Sequence, residues 1–127
     1  MNQPGFAFLM GDAVDGHLYF VISTPTLFAQ VAVANFTTPR DPCDWTCVVE
    51  RGEHPWIRHK TTVAYNRARL VDVDEFERRV REGIYLPYRE GLSGALLKRI
   101  QDGAITSVHT IAKVKDAVRS TLQGEPD

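Results

Sequence analysis

The chain has 127 residues, 43% of them apolar and 24% charged, which suits one ordinary globular domain long enough to bury a core. That balance excludes a wholly disordered chain, a collagen-like chain and a coiled coil. Fifteen Lys and Arg oppose sixteen Asp and Glu, a net charge of -1, so a nucleic-acid ligand has to be argued from local clustering.

No apolar run approaches the roughly 18 residues that a membrane helix needs. The start, Met1 to Gly5, has no basic region, and Phe6–Met10 is too short for a signal core. With only Cys43 and Cys47 for cysteines, the expectation is a cytoplasmic protein with no membrane partner and one domain over residues 1–127.

Residues from about 6 to 71 read as β-rich. Phe6–Met10 is a candidate first strand, followed by turn residues from Gly11 to Gly16. Leu18–Ser23 is apolar, aromatic and β-branched, a strand buried on both faces that Pro25 closes. Gln30–Phe36 is a second such run, ended by Thr37, Thr38 and Pro39. Trp45–Val49, Trp56–Ile57, Thr61–Tyr65 and Ala68–Val71 are shorter candidates separated by turns. Short strands with frequent turns predict a small, strongly bent antiparallel barrel of five to seven strands.

From Asp72 the spacing becomes helical. Asp72 or Asp74 caps a helix to Glu82, with Val73, Phe76 and Val80 on one face and Gly83 as the stop. Tyr85–Tyr88 reads as a connector around Pro87. Ser93 caps a second helix with Leu96, Leu97 and Ile100 inward and Gly103 at its end. Thr106 or Ser107 opens a third, with Val108, Ile111, Val114, Val118 and Leu122 inward. Residues 72–122 thus form a helical part, and 123–127 a polar tail. The fold class expected is mainly β with C-terminal helices, α+β.

The stretch Arg51–Arg69 holds Arg51, Arg58, Lys60, Arg67 and Arg69 against one carboxylate, Glu53, with Trp56 and Tyr65 between the cations. Cations neutralise phosphates while rings stack on bases, which suits a single-stranded nucleic acid; a solvated basic edge balancing the acidic helix is the plain alternative. His54, His59, Lys60 and Tyr65 are acid–base candidates in the same stretch, and His17 can join from the start of the second strand. Thr37 and Thr38 can bond their own turn, or donate to a phosphate. Cys43-x3-Cys47 and His54-x4-His59 have finger-like internal spacings, but the six residues between the pairs fall short of a finger, so no metal is expected. Phosphate-binding glycine loops, a nucleophile elbow and a metalloprotease helix motif are missing, and no cofactor is expected.

In order and distance, three segments resemble the MazF/PemK/Kid superfamily of bacterial toxins. Gly16-His17-Leu18-Tyr19-Phe20-Val21-Ile22-Ser23 is similar to the family's first strand, which ends in Val-Ile-Ser. Val31 to Thr38 is similar to its second, which ends in a Thr pair, and Lys60–Val63 followed by Arg69–Val71 and a helix is similar to its third signature. The resemblance covers roughly residues 11 to 122 and implies an SH3-like barrel of the MazF/PemK/CcdB kind, a homodimer and a cognate antitoxin. It further implies the toxin component of a type II toxin–antitoxin system, a metal-independent endoribonuclease cutting single-stranded mRNA. The family's catalytic Thr matches Thr37 or Thr38. Its catalytic Arg, just before the first strand, is replaced by His17-Leu18-Tyr19, so His17 or a residue of Arg58–Arg69 takes over its roles, or the chain does not cut RNA. Gly52 to Thr61 is unlike the family and marks a divergent branch.

The expected centre lies where His17, Thr37, Thr38 and the loop His54–Thr61 converge. His59 is the candidate base there and His17 the acid or a phosphate contact, with Thr37 or Thr38 orienting the phosphate and Lys60 or Arg69 stabilising the developing charge. Arg58, Lys60, Thr61, Tyr65, Arg67 and Arg69 are the expected RNA contacts. The alternative is a non-catalytic barrel that inhibits a protein target, as CcdB-type toxins do, or that binds RNA.

Overall fold

The computed structural model describes residues 2–11 and 16–124. The middle of the expected turn, 12–15, and the last residues of the expected tail, 125–127, lie outside the described residues. Seven strands and three helices follow in the order β1 (Ala7–Met10), β2 (Leu18–Val21), β3 (Gln30–Thr37), β4 (Val48–Val49), β5 (Thr61–Val63), β6 (Arg69–Asp72), α1 (Val73–Arg81), β7 (Tyr85–Pro87), α2 (Gly94–Thr106) and α3 (Ala112–Gln123). A 3-10 turn, Tyr65–Arg67, joins β5 to β6. Among the described residues, no helix is long and apolar enough to cross a membrane.

The strands form one antiparallel sheet in the order β4-β5-β3-β2-β1-β7, with β6 also on β3. This path is open, because β4 and β7 are not paired with each other. Strand β3 is the hub. One edge pairs with β2 from Val33 to Asn35; the other pairs with β6 from Gln30 to Val33 and with β5 at Phe36 and Thr37.

Both faces of the sheet are covered, which explains why β2 and β3 read as unbroken apolar runs. Alternate residues sort to opposite faces of a strand. Leu18, Phe20 and Ile22 join Ala32, Ala34 and Phe36 in the core that α2 and α3 close with Leu96, Ile100, Ala104, Val114 and Val118. Tyr19, Val21, Val31 and Val33 join Phe8 and Tyr85 in a second cluster, closed by Phe76 of α1 with Val73 and Val80 beside it. Buried polar groups on these strands are satisfied: Ser23 Oγ accepts from Ala32 N at 2.8 Å, and Gln101 Nε2 donates to the Ile22 carbonyl at 3.0 Å.

Several sequence expectations need correction. Tyr85–Pro87 is not a connector but the edge strand β7, paired with β1, where Pro87 is tolerated because an edge strand has one free side. Trp45–Val49 shrinks to the two residues of β4, and Trp56–Ile57 lies in no strand. Helix α2 does not stop at Gly103 but continues to Thr106. Helix α3 starts at Ala112, so Val108 (86% exposed) and Ile111 (49% exposed) point outward rather than into the core. The delayed start has a local cause. The Ser107 hydroxyl donates to Asp44 Oδ2 at 2.6 Å and accepts from His109 N, which fixes a turn where a new helix would begin.

The expected cap of α1 is not made: Asp72 holds the N-cap position without a side-chain capping bond, and Asp74 lies within the helix. Other helix ends follow simple rules. Ser93 Oγ accepts from Leu96 N at the start of α2. Asp74 and Glu75 occupy the first turn of α1 and Arg78, Arg79 and Arg81 the last, complementing the helix dipole. Gly83 follows with φ 74, the left-handed conformation that lets the chain leave α1 for β7.

Candidate functional site

Strand register builds the site. Strands β2 and β3 pair antiparallel up to Tyr19 and Asn35, so the residue just before β2, His17, and the end of β3, Thr37, come to one rim. Strands β3 and β5 pair Thr37 with Thr62, so the next residues, Thr38 and Thr61, come to the same rim. The loop entering β5 carries Arg58 and His59 to the same rim. His17, Thr37, Thr38, Arg58, His59 and Thr61 line one cleft of about 450 Å³ together with Phe36, Pro55, Trp56 and Tyr88. No Asp or Glu occurs among the described residues that line it.

Hydrogen bonds assign distinct roles to these groups. His59 is exposed, and its Nδ1 lies 2.8 Å from the Lys60 carbonyl oxygen. A carbonyl only accepts, so Nδ1 carries the proton and donates, leaving Nε2 as the nitrogen that can take a proton from a substrate. Thr61 is buried and its hydroxyl donates to the His59 carbonyl at 2.9 Å, so it shapes the loop instead of facing a ligand. The Thr37 carbonyl accepts from the Thr62 hydroxyl at 3.4 Å. Thr38 is exposed and His17 half-buried at the mouth.

The remaining candidates separate. Tyr65 is fully buried and its hydroxyl donates to the Ile100 carbonyl at 2.8 Å, so it is a core residue and contacts no RNA. Burial, with the Cys47 thiol beside it, pushes its phenol far above the ordinary range. Arg69 is exposed on β6 opposite Val33 and lines neither this cleft nor its neighbour. Lys60 is exposed but meets the cleft only through its carbonyl bond to His59. Arg67 lines a second cleft, of about 380 Å³, that shares His17, Thr37 and Thr38 with the first. Arg40, Asn66 and His109 stand there with Asp44. Burial alone raises the Asp44 carboxyl. Hydrogen bonds from Ser107 and Thr46, together with His109 nearby, outweigh it and hold the group below its ordinary value. Cys47 is a buried core residue whose thiol is raised chiefly by burial.

His54 is also structural. It is 3% exposed, its Nδ1 accepts from Trp56 N at 3.1 Å, and its Nε2 donates to the Glu90 carbonyl at 3.0 Å. Sequence reasoning missed Tyr88, which reaches the first cleft from the far end of the sheet beside β7. Nothing local in Tyr85–Tyr88 signals this, because only the pairing of β7 with β1 brings it there.

Chemically, the first cleft offers a proton acceptor at His59, a second imidazole at His17, hydroxyls at Thr37 and Thr38 and a cation at Arg58. No family model, curated protein or solved structure matches the chain.

Proposed function

We propose that the protein is the toxin component of a type II toxin–antitoxin pair, an endoribonuclease that cuts single-stranded RNA without a metal. The observation that carries this reading is the cleft that His17, Thr37, Thr38, Arg58 and His59 line together. His59 Nε2 takes the proton of a 2′-hydroxyl, whose oxygen attacks the adjacent phosphorus. The bond from phosphorus to the 5′ oxygen breaks, leaving a cyclic 2′,3′-phosphate, and His17 protonates the departing oxygen. Thr37 and Thr38 donate to the phosphate oxygens, and Arg58 offsets the charge that builds on them. On this reading the sheet around β3 corresponds to an SH3-like barrel left open between β4 and β7. The active species is a cytoplasmic homodimer held inactive by an antitoxin.

Purified protein should cut single-stranded RNA in EDTA, leave a 5′-hydroxyl end and spare DNA, which lacks the attacking hydroxyl. His59→Ala and His17→Ala should each lower the rate about tenfold or more while leaving the fold intact. Equal cleavage of DNA, or dependence on magnesium, overturns the mechanism. Toxicity without any cleavage supports the alternative, a non-catalytic inhibitor of a protein target.

A further inference from the structure

The first cleft has an aromatic part, to which Trp56 and Tyr88 contribute. The rings of Trp56 and Tyr88 lie 5.8 Å apart at 87°, forming a corner. A planar group in such a corner meets one ring face and one ring edge, both favourable contacts for a π-system. The Arg89 guanidinium sits 5.9 Å from the centre of the Tyr88 ring, adding a cation beside the aromatic surface. Both rings also pack on the main core, so the corner stands ready before any ligand arrives. His54 locks it. Its two ring nitrogens bind the Trp56 amide and the Glu90 carbonyl, and its ring lies 5.8 Å from that of Tyr88. One buried imidazole thus ties the turn carrying Trp56 to the segment carrying Tyr88, although 32 residues separate the two aromatics.

We infer that Trp56 and Tyr88 form a nucleobase-stacking subsite for the base next to the phosphate held at Thr37–Thr38. The inference rests on the ribonuclease reading and names how its substrate is held. Stacking accepts any base, so this wall supplies affinity and position rather than sequence choice. The nucleotide on the other side of the phosphate then runs into the second cleft, past Arg40 and Arg67. His54 is a positioning residue for the stack.

The test uses single-stranded DNA, which can be bound without being cut. In a Trp45→Phe background Trp56 is the sole tryptophan. Its fluorescence should be quenched saturably by the oligonucleotide. A fully abasic strand of the same length should give no quench. Tyr88→Ala should weaken binding about fivefold to a hundredfold, and Tyr88→Phe should restore it. With RNA, Tyr88→Ala should raise KM more than it lowers kcat. Cleavage of RNA with no quench, and with Tyr88→Ala binding as the parent does, overturns the stacking subsite and leaves the ribonuclease standing. Quenching that the fully abasic strand retains also overturns it. Quenching without cleavage of any RNA refutes the ribonuclease and leaves a single-strand binder. Should Tyr88→Ala fail to fold, comparison of the normal and the fully abasic strand with the Trp45→Phe chain decides alone.

Discussion

Gly103→Ala should destabilise the protein, although alanine is the better helix former at an interior helical position. The gain from propensity alone is about 1 kcal/mol. Against it, a Cβ on Gly103 would lie 2.2 Å from the Tyr65 hydroxyl oxygen, 3.0 Å from its Cζ and 3.3 Å from Cys47 Cβ. Tyr65 is fully buried and cannot swing aside into solvent. Overpacking of this kind costs about 1–3 kcal/mol. Displacing the hydroxyl from the Ile100 carbonyl leaves a buried donor unpaired, about 1–3 kcal/mol more. The net is a loss of about 3 kcal/mol, a large share of the roughly 5–15 kcal/mol that a domain has. With an m-value near 2 kcal/mol/M, the urea midpoint should fall by about 1.5 M. Tyr65→Phe supplies the control. It removes the atom at 2.2 Å and by itself costs about 1 kcal/mol, because the Ile100 carbonyl lies within α2 and keeps its helical partner. In that background Gly103→Ala should be nearly neutral, a coupling of about 3 kcal/mol in the double-mutant cycle. A stabilising Gly103→Ala, or an additive cycle, would refute the close packing of Tyr65 on α2.

The same phenol predicts an alkaline limit. Its folded pKa is raised, so above about pH 10 the unfolded chain releases a proton that the folded chain keeps. Stability should therefore fall as pH rises through that window, and Tyr65→Phe should flatten the fall in urea midpoints measured across it. Asp44 acts at the other end. Its folded pKa is lowered, so its contribution is full above the unfolded value near 4 and is lost as pH falls below it. Asp44→Asn should flatten the acid limb of the same midpoint series, and an unchanged limb would show that the bonds from Ser107 and Thr46 carry no net stability.

Legibility of the fold tracked how much of each element's reason lies within the element. Strands β2 and β3 declare themselves because covering both sheet faces removes the polar alternation that would otherwise dilute the signal. Helix α1 declares itself by Val73, Phe76 and Val80 on one stripe with acids before bases along it. The misreadings share a different cause, a residue whose meaning is tertiary. Gly103 looks like a helix stop, yet it is glycine because Tyr65, from the 3-10 turn, needs the space. Ser107 looks like an N-cap, yet its hydroxyl is engaged by Asp44 from 63 residues earlier. Pro87 looks like a strand breaker, yet β7 has a neighbour on one side only.

The site divides along the same line. His17, Thr37, Thr38 and Thr61 sit at strand ends, and antiparallel register sets strand ends opposite each other wherever the strands themselves are identified. A slip of one residue in either pairing would move each strand's side chains from one packed core to the other, so the fit of the two cores also holds these side chains at one rim. Past Val63 that logic ends. The chain leaves β5 through the 3-10 turn, with Ala64 N held by the Asn35 carbonyl at 2.9 Å. The turn drives Tyr65 inward under α2 and carries Arg69 along β3 toward Val33, away from the rim. A basic stretch that is continuous in sequence is thereby split: Arg58 and His59 stay in the first cleft, Arg67 moves to the second, and Arg69 leaves both. Tyr88 takes the place that sequence spacing assigned to Tyr65, and it does so through β7. The aromatic partner of the basic loop therefore comes from the opposite edge of the sheet, where only the pairing of β7 on β1 could have revealed it.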